Sequence, residues 1–496
     1  MTAVRVDTIV EALRRAGLLV AIEGELPQTV DAITDDSRGV VAGALFLAVR
    51  GSERDGHAYL DRAAQGGAVV VVVDDASRST LPAIVVTDTR RAAAMAAAAF
   101  HGEPAKQLRL VGVTGTNGKT TTVGMLRHLL DEPDARCASI GTLGVLIGSE
   151  GTPLDGGSGL TTPGPVELQR LLRTLHDMGV RTVAMETSSH ALHQGRAEGL
   201  RFAAAVFTNL TRDHLDYHIT MESYLAAKAL LIPLIAEDGT AVINADDAAW
   251  AMLPPAPRKV TFGLNGRADV RAADIRFGPR GSEWDLMIGA WAQPVDSTAR
   301  HAVRLPLIGD FNIANAVGAA AAAWCLGVPA DEIARRLTTM PQVPGRLEII
   351  HDEPAVLRDY AHTPDALARA LDAVRPFTSG TLIAVFGCGG DRDKGKRPEM
   401  GRIAESHADR VFVTSDNPRT EDPERILDDI EAGMHTPHER IEDRRAAIAH
   451  AIRSAKSGDV VVLAGKGHED YQIRGTVKFP FDERIIVGEI ISEGNT

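Results

Sequence analysis

A glycine-rich turn between an apolar strand and a helix constrains this chain more than any other feature. Residues 108–113 are a mostly apolar run, and residues 111–121 read Val-Gly-Val-Thr-Gly-Thr-Asn-Gly-Lys-Thr-Thr. In such a turn, backbone N–H groups and the helix N-terminus cradle phosphates, while the lysine and a hydroxyl reach the phosphates and Mg²⁺. Val113 stands where the standard motif has its first glycine, so a turn with a chance Lys-Thr is the alternative. The strand–turn–helix order favours a site for a nucleoside triphosphate.

Size and composition limit the classes of protein to consider. At 496 residues the chain is long for one hydrophobic core, and this length suggests about three domains. A hydrophobic content of 44% and a charged content of 24% are ordinary for a soluble globular protein. The net charge of −13 argues against a general nucleic-acid binder. If such an acidic protein binds phosphates, its basic residues must be concentrated at the binding site.

Cysteine usage and the N-terminus indicate the compartment. Cys137, Cys325 and Cys388 are far apart and lack metal-binding spacing, so we expect reduced thiols in a cytosol. The first residues lack the apolar core of a signal peptide. No apolar run is long enough to cross a bilayer. These features predict a cytoplasmic protein without a membrane span.

The order of apolar runs predicts three segments, each of α/β type. The first, residues 1–106, has strand-like runs and an alanine-rich helix that ends before Gly102 and Pro104. In the second, residues 107–343, strands alternate with helices, which predicts a mostly parallel sheet covered on both faces. The third, residues 344–496, has the alternation expected of a Rossmann-like domain.

Three apolar strands of the last segment each lead into a polar loop. Residues 382–386 precede Gly-Cys-Gly-Gly-Asp-Arg-Asp-Lys-Gly-Lys-Arg, residues 411–413 precede Thr-Ser-Asp-Asn-Pro-Arg, and residues 460–463 precede Ala-Gly-Lys-Gly-His-Glu. Ligands of open α/β sheets bind outside the carboxyl ends of the strands. Ordinary surface turns are the alternative. All three loops carry charged residues, which favours one shared site.

Ionisable residues also follow two strands of the middle segment. Glu186 directly follows one strand, and two Asp and two His lie between residues 213 and 218, after the next strand. Carboxylate oxygens beside a phosphate loop suit Mg²⁺. The alternatives are a solvent-facing Glu at a helix start and structural histidines. Because four ionisable residues cluster after one strand, we favour a metal site.

Lys228 lies in a mostly apolar, helix-like stretch, residues 224–232. This context alone is typical of a lysine on a helix surface, where lysine is common. The apolar neighbours leave a partly buried lysine as the alternative.

Several motifs occur together in a fixed order. They are residues 111–121, Glu186-Thr-Ser-Ser-His190, Thr208-Asn209 with Asp213-His214, Gly309-Asp-Phe-Asn312-Ile-Ala-Asn315, Pro344-Gly-Arg346 and Asp359-Tyr-Ala-His362-Thr-Pro-Asp365. In this order they resemble the motifs of the Mur ligase and folylpolyglutamate synthetase superfamily, over nearly the whole chain. The resemblance also accounts for the unusual glycine spacing of the phosphate loop. It implies a central ATP-binding domain and amide-bond formation.

The first segment narrows the resemblance to the tripeptide-forming Mur ligases. Residues 35–38, 43–51 and 55–59 are similar to the UDP-binding domain of that branch, which folylpolyglutamate synthetases lack. The resemblance implies that residues 1–106 bind the UDP part of a UDP-muramoyl dipeptide. The residues implied to contact this substrate are Ser37, Ser52, Glu53, Arg54, Thr161, Thr162, Ser188, Gln194 and Arg196.

The loops of the last segment resemble the acceptor site of the branch that adds meso-diaminopimelate. Asp416-Asn-Pro-Arg419 carries an arginine that lysine-adding relatives lack. Arginine can hold a carboxylate with two hydrogen bonds, and the distal end of diaminopimelate has a carboxylate where lysine has none. Glu469 would pair with the distal ammonium. The residues implied to bind diaminopimelate are Arg392, Asp416, Asn417, Pro418, Arg419, Gly465 and Glu469.

The resemblance implies a two-step mechanism in peptidoglycan precursor synthesis, and thus a role in cell-wall biogenesis, cell shape and cell division. The D-glutamate carboxylate attacks the γ-phosphate of ATP, and the acceptor amine then attacks the acyl phosphate. Domain closure would assemble the site and exclude water.

The implied residue roles follow from matched motif positions. Those that bind ATP are Gly115, Thr116, Asn117, Gly118, Lys119, Thr120, Thr121, Asn312, Arg346, Asp359 and His362, with Arg346 facing the γ-phosphate. The catalytic residues are Lys119, Glu186, His214 and Lys228. The Mg²⁺ ligands are Thr120, Glu186, His214 and Lys228, with Lys228 carbamylated so that it becomes an anionic ligand.

Three other functions compete with this interpretation. A folylpolyglutamate synthetase is disfavoured by the first segment, and the D-alanyl-D-alanine-adding Mur ligase by residues 416–419. A non-catalytic nucleotide switch is the third. The intact set of Lys119, Glu186, His214 and Lys228 disfavours it.

Overall fold

Two compact units divide the chain. The computed structural model describes residues 3–51, 55–155, 159–265, 267–278, 280–289 and 299–494. The first unit comprises the chain through Leu210, then His218–Phe262 and Gly318–Pro329. The second comprises Thr211–Tyr217, Gly263–Val317 and the chain from Ala330 onward. The division into three domains at residues 106 and 343 stays a prediction.

The first unit begins with a five-stranded sheet in the order β2-β7-β6-β5-β4. All neighbouring strands are parallel except β2, which is antiparallel to β7. The elements are β1 (Val4–Arg5), α1 (Val6–Arg15), β2 (Leu19–Glu23), β3 (Thr29–Val30), β4 (Ala32–Thr34), β5 (Ala44–Leu47), α2 (Leu60–Gln65), β6 (Ala68–Val73), β7 (Ala83–Val86) and α3 (Thr89–Phe100). Because β5 to β7 are buried on both faces, they are continuous apolar runs without alternation.

The second sheet of this unit carries the phosphate loop. Its strand order is β11-β10-β9-β12-β8-β13-β14-β15, parallel from β9 to β15 and antiparallel at β10 and β11. The elements are β8 (Arg109–Thr114), α4 (Lys119–Leu130), β9 (Arg136–Gly141), β10 (Gly144–Ile147), β11 (Thr152–Leu154), α5 (Pro165–Asp177), β12 (Val180–Glu186), α6 (Ser189–His193), β13 (Phe202–Phe207), α7 (Leu215–His218), α8 (Met221–Ala229), β14 (Ile235–Asn244) and β15 (Arg258–Gly263). The central strand β8 lies between β12 and β13, so the polar ends of all three strands meet at one edge.

An antiparallel group of three strands follows along the chain. The elements are β16 (Val270–Gly278), β17 (Gly281–Ile288), β18 (Arg300–Leu305), α9 (Asp310–Cys325) and α10 (Ala330–Thr338). The sequence patterns used above did not predict these strands. Buried and exposed residues alternate in the second half of β18, and β16 is buried only over its first three residues; such half-solvated strands lack the apolar runs that mark parallel ones.

The remaining sheet of the second unit has the order β19-β20-β24-β21-β22-β23. It is parallel except for β19. The elements are β19 (Glu348–Asp352), β20 (Ala355–Asp359), α11 (Pro364–Val374), β21 (Leu382–Phe386), α12 (Lys396–His407), β22 (Arg410–Val413), α13 (Pro423–Glu431), β23 (Glu439–Arg440), α14 (Arg444–Ser454), β24 (Val460–Ala464), β25 (Tyr471–Arg474), β26 (Val477–Pro480) and α15 (Glu483–Gly494). Apolar clusters cover both faces of this sheet.

The predicted fold class is confirmed: the chain is α/β with mostly parallel sheets. The strands predicted at residues 68–73, 382–386 and 460–463 are β6, β21 and β24. Among the described residues, no helix combines the length and the apolar character needed to span a bilayer.

Candidate active site

The phosphate loop has the strand–turn–helix form that its sequence predicts. β8 ends at Thr114, and α4 begins at Lys119. Gly118 has a φ of +83° at the helix start, a conformation that favours glycine. A Cβ at Gly115 would collide with the Thr208 hydroxyl, so this glycine allows the neighbouring strand end to approach the loop. The N-terminus of α4 thus directly follows the glycine-rich turn, the arrangement that binds anions in phosphate loops.

The end of β13 supports the loop through hydrogen bonds. The Thr116 N–H donates to the Asn209 carbonyl at 2.7 Å, and the Asn117 N–H donates to the Asn209 side chain at 2.9 Å. The Thr208 hydroxyl donates to the Asn117 carbonyl at 2.7 Å. Thr208 and Asn209 therefore fix the backbone of the turn.

Two lysines of the first unit donate to the loop backbone. Lys119 Nζ donates to the carbonyls of Gly115 and Thr116, each at 2.8 Å. Lys228 Nζ donates to the Gly115 carbonyl at 2.8 Å and lies 4.3 Å from the centre of the Tyr224 ring. Lys228 is only 1% exposed, so the surface-lysine interpretation is wrong. Both ammonium groups therefore donate to the carbonyl of Gly115, the glycine that directly follows β8.

Glu186 is a buried carboxylate at the end of β12, next to β8. Its side chain accepts from the Thr142 N–H at 2.8 Å and from the Thr142 hydroxyl at 3.2 Å. A Cβ at Gly141 would collide with this carboxylate, so the glycine makes room for it. Thr142 belongs to none of the sequence motifs. It directly follows β9, a third neighbouring strand of the same sheet, and this position was the signal that could have identified it.

The predicted substrate-binding residues of the middle segment form one network beside Glu186. The Thr162 hydroxyl donates to the Glu186 carbonyl at 2.8 Å and lies 3.3 Å from the Ser188 hydroxyl. Arg196 Nη1 donates to the Thr162 carbonyl at 3.0 Å, and its other nitrogens bond Gln194. The Thr142 hydroxyl reaches Thr161 at 3.3 Å, which joins this last predicted residue to the network.

Of the four residues of the first segment predicted to contact UDP, the structure describes Ser37. Ser37 is half-buried between the ion-paired Asp36 and Arg38. Ser52, Glu53 and Arg54 lie outside the described residues.

Residues at the end of β20 form a group in the second unit. Asp359 accepts from the N–H groups of Leu347 and Ala361 at 2.7 and 2.8 Å, and burial raises the pKa of its carboxyl. Arg346 lies 4.8 Å from the centre of the Tyr360 ring. The structure therefore brings Arg346 and Asp359 together.

His362 belongs to the same strand end. Lys396 Nζ donates to the His362 carbonyl at 2.8 Å. Burial, together with the nearby Lys396 charge, lowers the pKa of the imidazole, and Asp213 opposes this shift. A neutral ring therefore prevails near neutral pH.

Asn312 and His214 lie elsewhere in the second unit. Asn312, on α9, is buried and donates to the Ile308 carbonyl at 2.8 Å. His214 Nε2 lies 3.4 Å from an Asp213 carboxylate oxygen, and its backbone has a φ of +53°. A non-glycine residue in this conformation is uncommon and often marks a functional segment.

The three charged loops of the last segment do meet, as their strand order requires. The Gly390 N–H donates to the Asn417 carbonyl at 2.9 Å, and Arg419 Nη1 donates to the Gly390 carbonyl at 2.8 Å. Asn417 Nδ2 donates to Glu469 Oε2 at 2.8 Å. Loops after β21, β22 and β24 thus form one hydrogen-bonded surface.

The other predicted acceptor residues lie on the same loops. Gly465 has a φ of +115°, and its N–H donates to the Asp359 carbonyl at 3.0 Å. Arg392 is exposed and donates to the Asp391 carbonyl at 3.1 Å. Pro418 leads into Arg419, which has a φ of +52°.

The donor set of the first unit fits Mg²⁺ better than a softer metal. Glu186 offers buried carboxylate oxygens, and Thr120 places a hydroxyl at the start of α4. Among the described residues, no group of three or more His, Cys, Asp and Glu side chains could hold a metal ion by itself. Mg²⁺ is commonly bound by one or two carboxylates together with substrate phosphates.

Comparison with known proteins is consistent along the chain. Residues 29–122, 113–323 and 345–467 match the family models described as "Mur ligase family, catalytic domain", "Mur ligase middle domain" and "Mur ligase, glutamate ligase domain". A protein of Synechococcus elongatus named UDP-N-acetylmuramoyl-L-alanyl-D-glutamate–2,6-diaminopimelate ligase is 46% identical, with 92% of this chain and 93% of that protein covered. A protein of the same name from Gloeobacter violaceus is 45% identical, with 97% and 98% covered.

A solved structure agrees in fold and sequence. It is the structure of a UDP-N-acetylmuramoyl-L-alanyl-D-glutamate–2,6-diaminopimelate ligase, which is 35% identical to this chain with a TM-score of 0.68. The match covers 96% of this chain and 98% of that one. Given this identity over nearly the full length, the chain belongs to the Mur ligase family of ATP-dependent, amide-bond-forming ligases.

Proposed function

We propose that this chain joins meso-diaminopimelate to the D-glutamate of UDP-N-acetylmuramoyl-L-alanyl-D-glutamate, with ATP as co-substrate, in peptidoglycan precursor synthesis. The observation that carries the proposal is the hydrogen-bonded surface on which Asn417 and Glu469 lie with Arg419. The carboxylate suits an ammonium group, and the guanidinium suits a carboxylate. The distal end of diaminopimelate carries both groups. The names of the relatives support the same acceptor.

The chemistry joins a carboxylate to an amine in two steps. A D-glutamate carboxylate oxygen attacks the γ-phosphorus of ATP, the bond to the β-phosphate oxygen breaks, and ADP leaves. The acceptor amine then attacks the acyl carbon of the acyl phosphate, and phosphate leaves as the amine loses a proton. Because two anions meet in the first step, positive charge must offset their repulsion. We assign Lys119 to the β- and γ-phosphates and Arg346 to the γ-phosphate.

The residues that would hold Mg²⁺ are assigned from their donor atoms. Glu186 and Thr120 would hold one ion, and His214 with carbamylated Lys228 would help to hold a second. Bound Mg²⁺ supplies positive charge at the phosphate oxygens. Carbamylation joins the neutral Lys228 amine to CO₂ with loss of a proton, and it replaces an ammonium by an anion. Two observations support a special role for Lys228: it is buried, and it contacts the phosphate loop.

Further assignments complete the proposal. Asn312, Asp359 and His362 would surround the adenosine. Residues 1–106 would hold UDP, residues 107–343 ATP and residues 344–496 the amino acid. A cytoplasmic location is supported by Cys137, Cys325 and Cys388, which are thiols and not disulfides.

The decisive experiment measures ADP release with UDP-muramoyl dipeptide and a panel of acceptors. The panel contains meso-diaminopimelate, L-lysine and D-alanyl-D-alanine, with a no-acceptor control. We expect turnover with diaminopimelate and little with the other two. Equal turnover with lysine would overturn the acceptor assignment, and ADP release without any acceptor would overturn the ligase assignment.

A further inference from the structure

Lys466, in the loop after β24, is a fully buried lysine that neither the motif analysis nor the proposed mechanism uses. Its side chain is 0% exposed. Its Nζ donates to the Tyr471 carbonyl at 2.7 Å, to Asn417 Oδ1 at 3.1 Å and to Glu469 Oε2 at 3.3 Å. A lysine ammonium has three N–H donors, and here each has an acceptor. The contacts therefore match the charged form of this side chain.

The Lys466 ammonium faces two carboxylates. Asp416 Oδ1 lies 3.5 Å from Nζ, on the opposite loop from Glu469. Asn417 completes the arrangement, since its Nδ2 donates to the same Glu469 oxygen that Lys466 contacts. One cation thus links the loop after β22 to the loop after β24. Without it, two carboxylates would remain in a largely buried site with no ammonium between them.

A second buried ion pair supports the base of this loop. Arg444 and Glu483 are both fully buried, and Arg444 Nε donates to Glu483 at 2.8 Å. Arg444 Nη2 donates to the carbonyl of Ala464, the last residue of β24, at 2.9 Å. This hydrogen bond fixes the backbone at the start of the loop, two residues before Lys466.

We propose that Lys466 is a positioning residue that sets acceptor selectivity through its charge. The inference rests on the proposed function. Lys466 fixes Glu469 through Oε2 and offsets one of the two carboxylates. With Arg419 nearby, the site then suits a distal group that carries an ammonium and a carboxylate together. Removal of the lysine charge makes the site more negative and favours a distal group that is only cationic.

The test compares Lys466→Met with wild type and with Lys456→Met. Methionine is close to lysine in length and lacks the charge. Lys456 is an exposed lysine shortly before the same strand, so its variant is the matched control. The acceptors are meso-diaminopimelate, diaminopimelate amidated at its distal carboxylate, and L-lysine. Steady-state ADP release gives kcat and KM for each acceptor, for ATP and for the UDP substrate.

We expect Lys466→Met to lower the preference for diaminopimelate over its distal amide at least about tenfold, a difference of 1.4 kcal/mol. The KM values for ATP and UDP substrate should stay within about twofold of wild type, and Lys456→Met should match wild type. An unchanged preference, or a loss of kcat with all acceptors alike, would overturn the proposal. That second outcome indicates a purely structural lysine.

Two further measurements keep the proposal testable. If thermal unfolding shows that Lys466→Met is not folded, Lys466→Gln takes its place in the test. This variant removes the charge and keeps an amide donor. Adding Glu469→Gln to the Lys466 variant removes one negative charge as well. We expect the double variant to prefer diaminopimelate over its distal amide more strongly than the single variant does. Equal preferences in the two variants would contradict the charge argument. Failure of the proposed function is separate, because wild type itself would then not use diaminopimelate.

Discussion

The phosphate loop of the first unit and the acceptor loops of the second are held in different ways. In the phosphate loop, Lys119 and Lys228 donate to backbone carbonyls, and Thr208 bonds the loop backbone. The acceptor loops also make backbone contacts, but there side chains hold side chains as well, as in the contacts of Asn417 and Lys466 with Glu469. A site built on backbone groups depends on a few glycines and on helix geometry. In a site built on paired side chains, a single substitution can change which ligand is preferred.

This difference predicts which substitutions stop turnover and which change the acceptor. Changes near the phosphate loop should lower turnover with every acceptor. Changes in the acceptor loops should act on one substrate and spare ATP.

The largest expected effect is that of Lys228→Ala. We expect kcat to fall about 10²- to 10³-fold, as when one electrostatic stabiliser of a transition state is removed. ADP release is the measurement, and the control is Lys259→Ala, which removes an exposed lysine of β15. Added short carboxylates should restore part of the activity by replacing the lost anion. Full activity of Lys228→Ala without them would contradict the role, and a mass measurement that preserves CO₂ adducts would test carbamylation directly.

Arg419→Ala should act on the acceptor alone. We expect the KM for diaminopimelate to rise about 10- to 100-fold, because a hydrogen bond to a charged group contributes about 1.5–3 kcal/mol. The KM for ATP should stay near wild type. Arg402→Ala is the control, since Arg402 is 62% exposed on α12. If the KM for ATP rose as much as the KM for diaminopimelate, the acceptor loops would not act independently of the phosphate loop.

Thr142→Val tests the hydrogen bond from the Thr142 hydroxyl to Glu186. The variant keeps the N–H that bonds Glu186 and loses only the hydroxyl. We expect a fall in kcat of about fivefold, from the roughly 1 kcal/mol of one hydrogen bond, with a higher Mg²⁺ requirement. Thr142→Ser should retain most activity. If the serine and valine variants behave alike, the hydroxyl does not orient the carboxylate.

His468→Gln addresses the acid stability of the second unit. Burial, with nearby Arg346 and Arg358, lowers the pKa of His468 to about 4. The unfolded chain has a histidine pKa of about 6.5, so it binds more protons than the folded chain between these values. The folded state therefore loses stability as the pH falls from about 6.5 toward 4, by at most about 3 kcal/mol.

The measurement for His468→Gln is the free energy of unfolding at pH 7.5 and at pH 5. We expect wild type to lose more stability over this interval than the variant. An equal loss would show that other groups set the acid limit.

Parallel strands and the phosphate loop could be predicted because their signals are local. β6 and β24 are unbroken apolar runs, β8 is mostly apolar, and a helix start follows a glycine-rich turn in one short motif. The strands β16–β18 were not predicted, since residues that alternate between core and solvent give a weaker pattern. Thr142 was not predicted because its signal, a position directly after β9, has meaning only once β9 is known to lie beside β12.

The sequence by itself determined the α/β class, the phosphate loop and the family, because glycine spacing and apolar runs act over a few residues. The tertiary structure decided which distant side chains meet. Lys228 lies on a helix that its sequence presents as ordinary, and only packing buries it beside Gly115. Lys466 and Asp416 are 50 positions apart, and only the adjacency of β24, β21 and β22 brings their loops together. The physical reason is that hydrogen bonds and charges act over a few ångströms in space, whatever the separation along the chain.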